Sequence, residues 1–264
     1  MLIPYTGKTP DNFGYVLNEM LAMSGCSTLD NADCMSLRCF AYDFSGDAAG
    51  WFRPLISNVD AVKRLSAHMR HGELKISDAM GFDLSGHKCI MLICRKSFFA
   101  GDDLSGEFYS GAGNYLLCSK DDDGGLFTLR DMTNHYCDFA EAEELKEWLS
   151  LCGEYAVSVE GEPEFSPPSF RETVSDAYSL RMSCRHLETA GTLSRREEIA
   201  LRLGLMNYQI QLGKALSYIS AEAEIDSSIY ETWRGLLNLN TADEAVRDVN
   251  ILEDKFTEMI GDML

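Results

Sequence analysis

The segment GHKCIMLIC, residues 86–94, constrains the fold most, because it is the most continuous apolar run in the sequence. A short apolar run bounded by glycine and polar residues is typical of a buried β-strand. Two more strand-like segments follow, NYLLC at residues 114–118 and LFTLRD at residues 126–131, separated by the turn SKDDDGG. Turn residues between two such runs indicate a β-hairpin. The first part of the chain is therefore predicted to contain a β-sheet.

Helical patterns flank these strands. Thr9-Pro10-Asp11 has the residue types of a helix start. An apolar stripe at spacings of three and four residues follows it, made of Phe13, Val16, Leu17, Met20 and Leu21. Further helices are predicted at residues 59–70 and 141–151, and a strand is predicted at YAVSVEG, residues 155–161.

A proline-rich stretch marks the predicted domain boundary. Three of the six prolines stand at positions 163, 167 and 168. Beyond them the periodicity is helical throughout, with helices predicted at residues 169–190, 194–220, 228–238 and 241–263. The sequence therefore predicts an α+β protein, with a sheet-and-helix part at residues 1–160 and a helical part at residues 169–264.

Two of the predicted C-terminal helices carry notable apolar patterns. The helix at 194–220 is apolar on two faces, which predicts a central, buried position; the faces comprise Ile199, Leu203, Met206 and Ile210, and Leu201, Leu205, Tyr208 and Leu212. The last helix has a seam spaced 4-3-4-3-4, as in coiled coils, made of Ala245, Val249, Leu252, Phe256, Met259 and Met263. This seam packs either inside the chain's own helical bundle or against a second copy in a homodimer.

The charge balance narrows the classes of partner. The chain has 42 acidic and 23 basic residues, for a net charge of −19, and no basic cluster. Such a charge disfavours nucleic acid and anionic lipid as partners, and no apolar stretch is long enough to cross a bilayer. A small molecule, a peptide or a second copy of the chain remains as the expected partner.

Cysteine usage predicts a reduced, cytoplasmic protein. The number of cysteines, nine, is odd, and several of them lie inside apolar strands. No secretory leader is recognisable. Their spacings do not match those of a zinc site. Phosphate-binding glycine loops are also missing. No metal or cofactor is therefore expected.

His87 is the strongest candidate for chemistry. It precedes the apolar run, so it is expected where a buried strand begins, a common position for a catalytic base. Asp131 ends a later strand and is a candidate to orient the histidine if the two strands are neighbours. A base with an orienting carboxylate is part of an acyl-transfer site. The alternative is a structural histidine at the end of a strand.

None of the cysteines has the setting of a nucleophile, which needs a lowered thiol pKa. Cys26 follows the glycine that ends the first helix, where the helix dipole opposes a thiolate. Cys34 stands among acidic residues. Four others read as small core side chains, namely Cys39, Cys89, Cys94 and Cys118.

The order of these segments resembles the papain-like cysteine peptidase superfamily, in particular the branch of bacteriocin-leader peptidases and butirosin-biosynthesis acyltransferase-like proteins. The parallels are the N-terminal helix, the extended segment FAYDF, the Gly-His strand, the following hairpin and a helical C-terminal part. The resemblance implies a papain-like antiparallel sheet, His87 as base and Asp131 as orienting residue. It places the nucleophile at Asp11-Asn12, so that Asn12 stands where the family has cysteine.

Two functions follow as hypotheses. The first is a cytoplasmic peptidase or acyltransferase-like protein, either active through cysteine or catalytically degenerate. The second is a non-enzymatic interaction protein that dimerises through its C-terminal helix.

Overall fold

The computed structural model describes residues 12–29, 38, 41–44, 52–83, 86–94, 114–120, 125–131, 136–184, 187–188, 192–239 and 241–264. The predicted helix start at Thr9-Pro10-Asp11 lies outside these residues. In chain order the elements are α1 (Asn12–Met23), β1 (Tyr42–Asp43), β2 (Arg53–Pro54), α2 (Asn58–Ala67), β3 (Met69–Asp78), a 3-10 turn (Ala79–Gly81), β4 (Cys89–Cys94), β5 (Asn114–Lys120), β6 (Leu126–Asp131), β7 (Tyr136–Glu141), α3 (Ala142–Cys152), β8 (Gly153–Phe165), α4 (Phe170–Arg181), α5 (Arg195–Ser220), α6 (Ser227–Gly235), a second 3-10 turn (Leu236–Asn238) and α7 (Ala242–Asp262).

The chain divides into two compact units. Unit 1 comprises residues 1–34 and 58–167, and unit 2 comprises residues 35–57 and 168–264. One division therefore falls between Pro167 and Pro168, inside the proline-rich stretch. The sequence predicted a single boundary, whereas the segment 35–57 groups with the C-terminal helices.

Unit 1 is built on a six-stranded antiparallel sheet with the order β3-β8-β4-β5-β6-β7. The predicted hairpin is the β5–β6 pair, in which Cys118 lies opposite Leu129. The α+β class is therefore confirmed. The sheet is antiparallel, as the papain-like resemblance implies, but many folds share that property.

Strand β4 is buried on both faces. Ile90 and Leu92 point into a cluster that includes Leu145 and Leu149 of α3. On the opposite face α1 packs against β4 and β5. Each of the six residues of β4 is buried. Coverage of both faces explains why the run is continuously apolar rather than alternating.

Strands β3 and β7 were not predicted from the sequence. The helix expected at residues 59–70 ends at Ala67, and β3 begins at Met69. A bulge shifts the β3–β8 register after Arg70, with positive φ values at His71 (64°) and Gly161 (78°). The bulge interrupts the alternation by which a strand is recognised. β7 stands at one end of the sheet order, and Asp138 interrupts its apolar residues, so the strand has no apolar run.

Unit 2 contains α4 to α7, and its core buries one face of α5. The buried face consists of Leu201, Leu205, Tyr208 and Leu212, as predicted. The seam of α7 is packed in the same core through Ala245, Val249, Leu252 and Phe256. Of the two alternatives for this seam, the structure has packing inside the chain's own bundle, so these residues are not available to a second copy.

Capping boxes fix where three of these helices begin. Ser169, Ser194 and Thr241 each accept a hydrogen bond from the backbone N–H three residues later. A glutamate at that later position accepts a bond from the backbone of the capping residue in return. The helix starts predicted from periodicity, at residues 169, 194 and 241, lie one residue before the observed ones.

A buried ion pair links α4 to α7. The Nε atom of Arg181 lies 3.2 Å from Oε2 of Glu253, and both side chains are buried. The hydroxyl of Tyr208 on α5 donates a hydrogen bond to Oε1 of the same carboxylate. The guanidinium also lies over the ring of Phe256, 4.4 Å from its centre. Burial, followed by the charge of Glu253, raises the pKa of Tyr208 well above 10, so this hydroxyl stays protonated.

We predict that Arg181→Met lowers the free energy of unfolding by about 3–5 kcal/mol, because it leaves the Glu253 carboxylate buried without its cation. Arg181→Met combined with Glu253→Gln should lose clearly less, since neither charge then remains. Urea unfolding followed by circular dichroism measures both. A double variant as unstable as the single one would contradict this account of the ion pair.

We further predict that Gly213→Ala lowers the free energy of unfolding by about 1–3 kcal/mol through overpacking. A Cβ atom at Gly213 would lie 2.6 Å from the ring of Trp233, which is anchored because its Nε1 donates a hydrogen bond to the carbonyl oxygen of Gln209. Gly235→Ala is the matched control, because Gly235 has helical φ and ψ angles and open space around its Cα. Equal urea midpoints for the two variants would refute the prediction.

Candidate functional site

His87 lies two residues before β4, where the sequence predicted it. Its ring packs against the ring of Phe82, with centres 5.1 Å apart and planes inclined by 31°. The side chain is half-buried. Within the described part of the chain, this ring contact is the interaction that holds it, and no carboxylate or thiol hydrogen-bonds to it. His87 thus has the surroundings of a packed histidine.

The sheet register separates Asp131 from His87. Arg130 of β6 pairs with Leu117 of β5, which in turn pairs with Met91 of β4. Asp131 therefore lies one residue beyond the level of Met91. His87 lies four residues before Met91, in the opposite direction. At about 3.3 Å per residue the two are roughly 17 Å apart along the strands, with β5 between them.

A ring contact with the sheet places the start of α1. The ring of Phe13 meets the ring of Tyr115 with centres 5.4 Å apart, and Tyr115 pairs with Ile93 near the end of β4. The first turn of α1 therefore lies at the end of β4.

Asn12, the first residue of α1, consequently lies at the opposite end of β4 from His87. The structure thus brings together neither His87 with Asp131 nor His87 with Asn12. A base and its partners need to be within hydrogen-bond reach, about 3 Å. The separation of these backbone positions weighs against the expected pairing of His87 with Asp131 and against a nucleophile at Asn12. The roles of the three residues stay predictions.

Three of the described thiols in unit 1 are not activated as nucleophiles, namely those of Cys26, Cys89 and Cys118. Burial raises the pKa of both Cys89 and Cys118 to about 12, which leaves roughly one thiolate in 10⁵ at neutral pH. Burial, with a contribution from the charge of Glu162, also raises the pKa of Cys26. The expected core roles of Cys89, Cys94 and Cys118 agree with their burial, and Cys39 lies outside the described residues.

A different feature of the molecule is exposed and chemically distinctive: the second apolar face of α5. The side chains of Ile199, Met206 and Ile210 are 41%, 41% and 51% exposed. Leu203 occupies the helical position between the first two. We call these four positions the outer stripe. The sequence predicted both apolar faces of α5 to be buried, and for Ile199, Met206 and Ile210 this expectation is wrong. The core of unit 2 buries the opposite face of the helix.

The outer stripe is also free of acidic residues. No Asp or Glu occurs between residues 199 and 220, although the chain has 42 such residues in 264. The helical positions beside the stripe include Arg202 and Asn207, both exposed. This face could have been singled out from the sequence, because the helix has two opposite apolar stripes and no acidic residue beside them, whereas the chain as a whole is acidic.

Among the described residues, no group of three or more His, Cys, Asp or Glu side chains is arranged to hold a metal ion. None of the described helices combines the length and apolar character needed to cross a membrane.

We predict that burial of the Cys118 thiol makes unit 1 less stable in alkali. Its pKa is about 12 in the folded chain and 9.0 without burial, so the unfolded chain releases this proton first. The stabilisation that comes from keeping this thiol protonated is complete below pH 9, and it is lost at about 1.4 kcal/mol per pH unit from pH 9 towards pH 12. The unfolding free energy of Cys118→Val minus that of wild type should therefore be constant below pH 9 and should rise above it.

Urea unfolding between pH 7 and pH 11 under reducing conditions measures this difference. Leu116→Val is the control, because it shortens a buried neighbour that carries no proton. Parallel pH profiles for wild type and Cys118→Val would contradict the prediction.

Comparison with known proteins yields no match: no family model, no curated protein and no solved structure is similar to this chain. The resemblance to the papain-like superfamily therefore stays a prediction.

Proposed function

We propose that this protein is a non-enzymatic interaction protein that binds its partner through the outer stripe of α5. The observation that carries the proposal is the exposure of Ile199, Met206 and Ile210 in one row. Isolated apolar side chains are common on protein surfaces, whereas an ordered row of them indicates a contact surface.

The spacing of the outer stripe supports this function. Its positions recur at intervals of four, three and four residues along a helix of 26 residues. This is the spacing with which one helix packs against another. The inner face of α5 fixes the helix in the core of unit 2, so the outer stripe is presented on a rigid element.

The separation of the candidate catalytic residues weighs against the enzymatic hypothesis. An acyl-transfer site needs nucleophile, base and orienting group in one place. The positions of His87, Asp131 and Asn12 are spread over opposite ends of the sheet. If the papain-like ancestry is real, a catalytically degenerate relative is the version that fits this arrangement.

We predict that His87→Ala leaves the rate of hydrolysis of p-nitrophenyl acetate, an activated acyl donor, within twofold of wild type. His71→Ala is the matched control, since His71 is an exposed histidine on β3. The release of nitrophenolate measured at pH 7.5 provides the rate. A loss of tenfold or more in His87→Ala, without a loss in His71→Ala, would establish an active site at His87 and overturn the non-enzymatic proposal.

A further inference from the structure

We draw no further inference here: the strongest candidate, the outer stripe of α5 with its exposed Ile199, Met206 and Ile210 side chains, carries nothing beyond the proposed function, because nothing in the structure shows what covers it.

Discussion

The burial of β4 on both faces is the constraint on which unit 1 depends. Helix α1 lies on one face and α3 on the other, so all six residues of the strand are apolar or thiol-bearing core residues. The same packing places the first turn of α1 at the end of β4, far from His87. Since a nucleophilic thiolate is best stabilised at a helix N-terminus, the arrangement that stabilises the sheet also keeps that position away from the histidine.

Unit 2 depends on α5 in a comparable way. One face of this helix is buried against the other elements of the unit, and Tyr208 on that face bonds the carboxylate that pairs with Arg181. The second face of such a helix is covered only where a further layer of secondary structure packs on it. The core of unit 2 leaves Ile199, Met206 and Ile210 exposed, in a part of the helix that has no acidic residue, and the proposed function rests on this surface.

Much of the fold could be predicted because its signals are local. Helical periodicity located three helices that begin within one residue of the predicted starts, and the apolar run with the hairpin located β4, β5 and β6. The strands β3 and β7 were not predicted. A bulge breaks the alternation of β3, and β7 has no apolar run. The segment 35–57 could not be assigned to unit 2, because long-range packing leaves no periodic pattern in the sequence.

The sequence by itself determined the α+β class, most of the helices, the strands β4, β5, β6 and β8, and the two apolar faces of α5. Only the tertiary structure decided which face of α5 is buried, and that His87, Asp131 and Asn12 lie apart. The physical reason is that periodicity records spacing along one element. Strand register and helix direction depend on the neighbours against which an element packs, and those neighbours are distant in the sequence.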